Sequence, residues 1–497
     1  MNKTKLAVIG AGPGGYAAAF LAADLGIEVT LIGEEANPGG VCLYRGCIPS
    51  KALLHVARVL TESKEAANWG VEFAAPKLDI DRMRAWKSSV VEKLTGGTGQ
   101  LAKQRKVQYI RGRASLLDGG TLSVAKHDGG EEQLAFDHAI LATGSRPAAV
   151  PIFPPFGERV MDSTEALEIK SVPKTLLVVG GGYIGLELGT VYAALGSKVS
   201  VVEMMPSLLP GVDHDLVSIL AKRIEKIFAR VMLNTKVAEM KEATDGVQVR
   251  FEGPAVGPGL APASNRREGS GGASPASTSA EQVFEKVLVA VGRKPNSNIP
   301  GLDKTKVEID AQGFIKVDLQ RRTAEPTIYA IGDVAGQPML AHKATHEGRT
   351  AVEAIAGHKV AFEPRAIPAV VFTDPEIAWC GLTEDEARKT NRAVTVARFP
   401  WGASGRAITL DRPDGVTKLL IDPQTERVLG VGIAGSGAGE LIAEGVLAVE
   451  MAALASDVAL SIHPHPTLSE TVMESAEVFF GTSTDLYRPK RKSATPK

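Results

Sequence analysis

The chain has 497 residues, enough for three to four domains at about 150 residues each. Its 44% apolar and 23% charged residues are the usage of a folded globular protein, not a disordered one. Lys plus Arg number 56 against 57 Asp plus Glu, for a formal net charge of -1, which excludes a general nucleic-acid or acidic-membrane binder because such binding needs a basic excess.

Lys5 to Gly10 is a short apolar run predicted to be a strand, followed by an alanine-rich helical pattern from Gly14 to Leu25 and a second strand, Glu28 to Ile32. Strand, helix, strand within about 30 residues is the βαβ unit. Its turn reads G-x-G-x-x-G with Gly10, Gly12 and Gly15. The first glycine permits the tight turn, the second lets backbone approach a pyrophosphate, and the third lets helix pack on strand, with the helix N-terminus facing the anion. An acid for the ribose hydroxyls is expected at the tip of the second strand, but residue 33 is glycine, so the expectation falls on Glu34.

Residues 39–51 read GGVCLYRGCIPSK, with four residues between Cys42 and Cys47. In a regular helix those five steps rise about 7.5 Å, beyond the ~7 Å over which two Cα atoms can be bridged. A disulfide therefore needs a distorted turn, which Gly46 can supply. The alternative is two unconnected buried thiols, but a cysteine pair beside a dinucleotide turn favours redox activity. Three cysteines in all exclude a disulfide scaffold and a four-cysteine zinc site.

Strand-like runs follow at Val107 to Ile110 and Ala139 to Ala142, and then the βαβ grammar repeats: strand Leu176 to Gly180, helix Tyr183 to Leu195, strand Lys198 to Glu203. The second turn carries Gly180, Gly182 and Gly185, and Glu203 stands 23 residues after Gly180, where a ribose-binding acid belongs. That acid favours a free 2′-hydroxyl and so NAD over NADP. Gly253 to Gln282 is Gly, Pro, Ala and Ser with almost no bulky apolar residue, and reads as a disordered surface insertion between two strands, the second of them near Val287 to Val291. After about Gly357 short strands precede a long helix, Gly439 to Leu454. His465 with Glu470 five residues on has the make-up of a base and an orienting acid. His463 reads as structural, the two histidines lack further metal ligands, and no metal is expected. The basic tail, Arg488 to Lys492, reads as solvated. With no signal-peptide pattern and no run of about 18 apolar residues, the expected setting is the cytoplasm, off the membrane.

The cysteine segment resembles the redox-active disulfide of the class I flavoprotein disulfide reductases, and nearly the whole chain is similar to the dihydrolipoamide dehydrogenase family within that group. The resemblance extends through Ala142-Thr143-Gly144, Gly292-Arg293-Lys294-Pro295-Asn296, Tyr329-Ala330-Ile331-Gly332-Asp333, Met339-Leu340-Ala341-His342-Lys343 and His463 to Glu470. Glutathione reductases carry arginines after the second nucleotide turn, where this chain has Glu203-Met204-Met205. Mercuric reductases add a C-terminal cysteine pair, whereas the third cysteine here is Cys380, which reads as a core residue.

The resemblance implies an α/β protein with two Rossmann-like domains, for FAD and NAD, and a C-terminal α+β dimerisation domain. It implies borders at 1–147 and 293–357 for the FAD and central parts, 148–292 for the NAD domain and 358–497 for dimerisation. It implies FAD contacts from Gly10, Gly12, Gly15, Glu34, Lys51, Ala114, Thr143, Gly144, Asp333 and Met339 to His342, including Leu340 and Ala341. NAD contacts would come from Gly180, Gly182, Gly185, Glu187, Glu203, Val237 and Gly292, with Lys51 pairing Glu187. Cys42 would be the interchange thiol, Cys47 the thiol near the flavin, and His465 with Glu470 the base and its acid. The implied activity is NAD+-linked oxidation of dihydrolipoamide by a homodimer serving the lipoyl domains of a 2-oxoacid dehydrogenase complex or glycine cleavage system. A related flavin disulfide reductase, or a low-turnover flavin redox sensor, is the alternative.

Overall fold

The structure is a computed structural model and describes residues 2–254 and 278–487. It divides into two compact units, Met1–Val59 with Ser63–Val172 and Val289–Glu363, and Leu60–Glu62 with Pro173–Leu288 and Pro364–Lys497.

The first unit is built on a parallel sheet. Asn2–Ile9 pairs with Val29–Gly33 on one side and with Glu131–Leu141 on the other. Gln108–Leu116 extends the sheet beyond Val29–Gly33, and Ile328–Ala330 beyond Glu131–Leu141. The antiparallel strand Thr121–Lys126 links Gln108–Leu116 to the start of Glu131–Leu141. Parallel strands covered on both sides bury both faces: Leu6, Val8, Leu31 and Ile140 are inaccessible on one, Ala7, Ala139 and Leu141 on the other. Helix Pro13–Asp24 buries Ala18, Ala19 and Ala22, whose small side chains let it lie close to its neighbours. One neighbour is helix Ala341–Ile355, where a Cβ on Gly348 would stand 2.8 Å from Gly14 O. The sequence reading did not single out helix Ile80–Gln104, capped by Asp79 accepting from Arg82 N at 2.9 Å.

The second unit repeats the parallel theme with Thr175–Val179, Lys198–Val202 and Arg230–Met232. Beside it lies an antiparallel sheet of Lys236–Ala243, Gly246–Gly253 and Thr278–Phe284. Gly253 pairs with Thr278, so the expected insertion is shorter than read: both its ends are strand, and residues 255–277 lie outside the described residues, as does the basic tail. The C-terminal part is a five-stranded antiparallel sheet in the order Ala369–Val371, Glu376–Gly381, Val428–Gly435, Val416–Ile421, Thr395–Pro400. Helices Ala438–Glu450 and Glu470–Phe480 pack on it. Buried Trp401 donates from Nε1 to Thr417 Oγ1 at 2.9 Å, Thr417 Oγ1 meets Thr471 Oγ1 at 2.7 Å, and Ser475 Oγ donates to Thr417 O at 3.0 Å. These bonds fix the start of helix Glu470–Phe480 against the sheet.

Candidate functional site

In the first unit the glycine turn is built around steric demands. Gly10 adopts φ +105°, and a Cβ there would meet Ala142 O at 2.2 Å. A Cβ on Gly15 would lie 1.8 Å from Gly10 O. Gly12 is open, with extended backbone, and caps helix Pro13–Asp24 with no side-chain bond. Unbonded helix N–H groups behind an open glycine form a cradle that fits the pyrophosphate of a dinucleotide such as FAD.

The cysteine segment starts on top of this cradle. Gly39 N donates to Ala11 O at 2.7 Å, and Gly40, at φ +57°, comes so close that a Cβ would lie 2.5 Å from Gly12 Cα. Helix Gly40–Arg45 carries Cys42, breaks at Gly46, and helix Cys47–Glu65 begins with the second cysteine. A Cβ on Gly46 would stand 2.9 Å from Val41 O, so the break requires glycine there. Both cysteines are thiols in this structure, Cys42 half-buried and Cys47 exposed. The hydrogen bond with Cys47, followed by burial, raises the Cys42 pKa, while the charge of Lys51 opposes the rise. Burial, and then the charges of both cysteines, raise the Tyr16 hydroxyl as well, so helix Pro13–Asp24 and the sulfurs share one environment.

Gly33 has no room for the acid expected at this strand tip. A Cβ there would lie 2.6 Å from Ala11 Cβ and 2.7 Å from the Tyr109 hydroxyl, which leaves no room for a carboxylate. Glu34 is exposed at the next position, its carbonyl accepting from Arg111 Nε at 3.1 Å. Ala114 is buried in its strand opposite Val124. Thr143 and Gly144 are held by Asn296: Thr143 Oγ1 donates to Asn296 O at 2.8 Å, Asn296 Nδ2 to Thr143 O at 3.0 Å, and Asn296 N to Gly144 O at 2.9 Å. Asp333 Oδ2 accepts from Ser145 Oγ at 2.5 Å, and Ser145 Oγ accepts from Arg293 Nε at 2.7 Å. Sequence reasoning missed Ser145; it directly follows the Ala142-Thr143-Gly144 match. Met339 and Leu340 are half-buried before helix Ala341–Ile355, Ala341 opens it, and His342 is exposed on its first turn. Gly292 also lies in this unit, at φ +117° with open space around it.

In the second unit the glycine turn has the same form. Gly180 adopts φ +107°, Gly182 is open at the N-cap of helix Tyr183–Leu195, and Gly185 is buried in that helix. Glu203, at the end of strand Lys198–Val202, is buried; Oε2 accepts from Gly181 N at 2.7 Å and Oε1 from Met205 N at 2.8 Å. Glu187 is buried and accepts from Phe372 N at 3.0 Å. Val237 is buried opposite Phe251.

His465 and Glu470 also belong to the second unit and are paired. His465 Nδ1 lies 2.9 Å from Glu470 Oε1, while Glu470 Oε2 accepts from Thr467 N at 2.7 Å. A carboxylate only accepts, so Nδ1 carries a proton and Nε2 is left with the lone pair of a base. The His465 side chain is 76% exposed. His463 differs: Glu444 Oε1 and Ser461 O each lie 2.8 Å from a ring nitrogen, and its side chain is buried. The flanking segments expose Leu447, Met451, Leu460 and, at 98%, Ile462.

The carboxylates of Asp213, Asp215 and Glu384 converge within the second unit, but on the buried Lys418 ammonium, at 2.8, 2.6 and 2.7 Å. Among the described residues no helix is long and apolar enough to cross a membrane.

The family described as pyridine nucleotide-disulphide oxidoreductase matches residues 4–348, and its dimerisation domain matches residues 367–476. The dihydrolipoyl dehydrogenase of Haemophilus influenzae is 49% identical over 490 residues, 99% of this chain and 98% of that protein. That of Vibrio cholerae is 48% identical over the same shares. Among solved structures, LpdA from Mycobacterium tuberculosis matches with a TM-score of 0.84 at 25% identity, over 96% of this chain and 100% of that one. The Cu(II) complex of the HOCl-induced flavoprotein disulfide reductase RclA from Escherichia coli matches at 0.81 and 26%, over the same shares.

Proposed function

The chain belongs to the pyridine nucleotide-disulphide oxidoreductase family, and from that premise we propose that it is an NAD-dependent dihydrolipoamide dehydrogenase. The observation that carries the reading is one chain holding both a hydrogen-bonded thiol pair seated on a dinucleotide turn and a histidine oriented by a carboxylate. The first is a two-electron store; the second is a base for a thiol substrate.

The cycle starts from a Cys42–Cys47 disulfide. His465 Nε2 takes a proton from one thiol of dihydrolipoamide, because the thiolate is the attacking species. That thiolate attacks Cys42 Sγ; a substrate–Cys42 disulfide forms, the Cys42–Cys47 bond breaks, and Cys47 leaves as thiolate. The second substrate thiol passes its proton to Cys42 Sγ as it attacks the first substrate sulfur, closing the cyclic disulfide of lipoamide and returning Cys42 as a thiol, while His465 releases the first proton to solvent. The substrate has lost two electrons and the cysteine pair has gained them. The hydrogen bond with Cys47 and burial keep the proton on Cys42. FAD, when bound on the first glycine turn, supplies the two-electron relay to NAD+ that side chains lack.

On this reading the FAD contacts are Gly10, Gly12, Gly15, Glu34, Lys51, Ala114, Thr143, Gly144, Asp333 and Met339 to His342. The NAD contacts are Gly180, Gly182, Gly185, Glu187, Glu203, Val237 and Gly292. The domain borders are those at 147, 292 and 357. The enzyme is a cytoplasmic homodimer in which His465 and Glu470 of one chain serve Cys42 and Cys47 of the other, an arrangement supported by the high exposure of His465 and its apolar flanks. Its partner is a lipoyl domain of a 2-oxoacid dehydrogenase complex or glycine cleavage system. The test is steady-state turnover of dihydrolipoamide with NAD+, set against other dithiols and disulfides and against NADP(H). A higher kcat/KM on another disulfide overturns the reading.

A further inference from the structure

We propose that Glu347, clasped by Arg321 and Lys343, is the positioning residue for the turn that carries Asp333, and that it sets how long FAD is retained; this rests on the reading that Asp333 faces FAD. Glu347 is completely buried in helix Ala341–Ile355. Its Oε2 accepts from Gly332 N at 2.6 Å, and its Oε1 pairs with Arg321 at 2.9 Å and Lys343 Nζ at 3.1 Å. Lys343 Nζ also donates to Gly332 O at 3.4 Å and to Gly336 O at 3.1 Å. Both backbone polar groups of Gly332, the residue before Asp333, are therefore held by charged side chains of one helix. Gly336, three residues after Asp333, is held by the same ammonium. Asp333 thus sits in a short turn pinned on both sides.

The same helix touches the first glycine turn. A Cβ on Gly332 would stand 3.0 Å from Ala344 Cβ, and so would one on Gly14. Ala344 therefore sets the spacing between the pyrophosphate cradle and the Asp333 turn, and Glu347, one helical turn on, locks that spacing by charge-assisted hydrogen bonds. Stability alone is a poor account of the cluster. Two cations and one anion out of water carry a desolvation penalty that well-packed apolar side chains avoid, whereas only a directed acceptor fixes the Gly332 N–H.

The test uses the full-length holoenzyme in three forms: Glu347→Gln, the apolar triple Arg321→Met/Lys343→Met/Glu347→Met, and Asp333→Ala. FAD loss on dilution is followed by flavin fluorescence, and unfolding is followed separately at saturating FAD. The triple is expected to unfold at or above the wild-type midpoint, yet to release FAD about ten- to hundredfold faster, the range for removing a partner that orients a ligand. Glu347→Gln keeps an oxygen acceptor and falls between. A stable triple with wild-type FAD release, beside fast release from Asp333→Ala, overturns the positioning role and leaves the FAD reading standing. Wild-type release from Asp333→Ala removes the FAD role of that turn, and this proposal with it. If the triple does not fold, Glu347→Gln, which keeps the side chain's shape but weakens the acceptor at Gly332 N, is judged by the same criterion.

Discussion

Glu203 Oε2 accepts a hydrogen bond from Gly181 N at 2.7 Å, so the acid at the strand tip is tied directly to the glycine turn it follows. Each carboxylate oxygen already takes one backbone N–H and keeps acceptor capacity for a ribose hydroxyl. A 2′-phosphate would instead meet a like charge. Glu203→Ala is expected to lower kcat/KM for NAD+ by about 10- to 100-fold, the worth of a hydrogen bond to a charged group, and to narrow the preference over NADP+. An unchanged NAD+ to NADP+ ratio refutes the assignment.

The His465–Glu470 pair gives a second expectation. His465→Ala removes the base and should cut dihydrolipoamide turnover by about 10²- to 10⁴-fold. Glu470→Gln should cost less, because the amide can still meet Nδ1 but no longer fixes its proton. Reduction of ferricyanide by NADH bypasses the thiols and should survive in both variants; its parallel loss would point to damage beyond the base.

Crossed active sites can be detected by complementation. Cys47→Ser and His465→Ala homodimers are each expected to be inactive at both sites. Refolded together they give about half mixed dimers, each with one doubly defective site and one intact site, so about a quarter of wild-type activity returns by symmetry. If each chain served its own cysteines, flavin-loaded mixtures would show no recovery.

Cys380 offers a test of the C-terminal core. Burial, supported by the charge of Glu450 and opposed by a backbone bond from Val431, pushes its thiol from 9.0 up to about 12. The folded form therefore holds its proton more tightly than the unfolded chain. The stabilisation is complete below pH 9 and is lost as pH rises from 9 towards 12. Cys380→Ala should flatten the decline in unfolding free energy over that window. In reduced native protein at pH 8, a thiol reagent should label the exposed Cys47 and spare Cys380, as read by peptide mass.

Lys418 is the cation on which three carboxylates converge, linking helix His214–Ile227 and its Asp213 cap to the C-terminal sheet. Lys418→Met leaves those carboxylates without their buried partner, and should cost about 3–5 kcal/mol in chemical unfolding. A loss below 1 kcal/mol would mean that the acids find water or the Arg398 guanidinium instead.

Both βαβ units were legible because glycine spacing and apolar runs are local signals; helix Tyr183–Leu195 spans the residues the pattern predicts. Helix Ile80–Gln104 contains Gly96, Gly97 and Gly99, residues of low helix propensity that weaken its local signal. The reason for Gly99 is tertiary: a Cβ there would lie 2.1 Å from Asn37 Oδ1. The fingerprint failed at residue 33 for a similar reason, since Ala11 and the Tyr109 hydroxyl fill the space an acid needs. Lys343 and Glu347, four residues apart on a helix, have the spacing of an ordinary solvated pair; only the fold buries them under the Asp333 turn. The His465–Glu470 spacing was visible, but the bond from Thr467 N that orients the acid depends on how the loop folds.

The approach of Gly40 to Gly12 has a consequence for descent. The thiol helix lands on the glycine turn through backbone, and Gly40 has no room for a side chain at the contact. A cysteine pair transplanted onto another nucleotide-binding scaffold would arrive without its footing, and a lineage that replaced Gly40 would disturb cofactor seat and redox pair together.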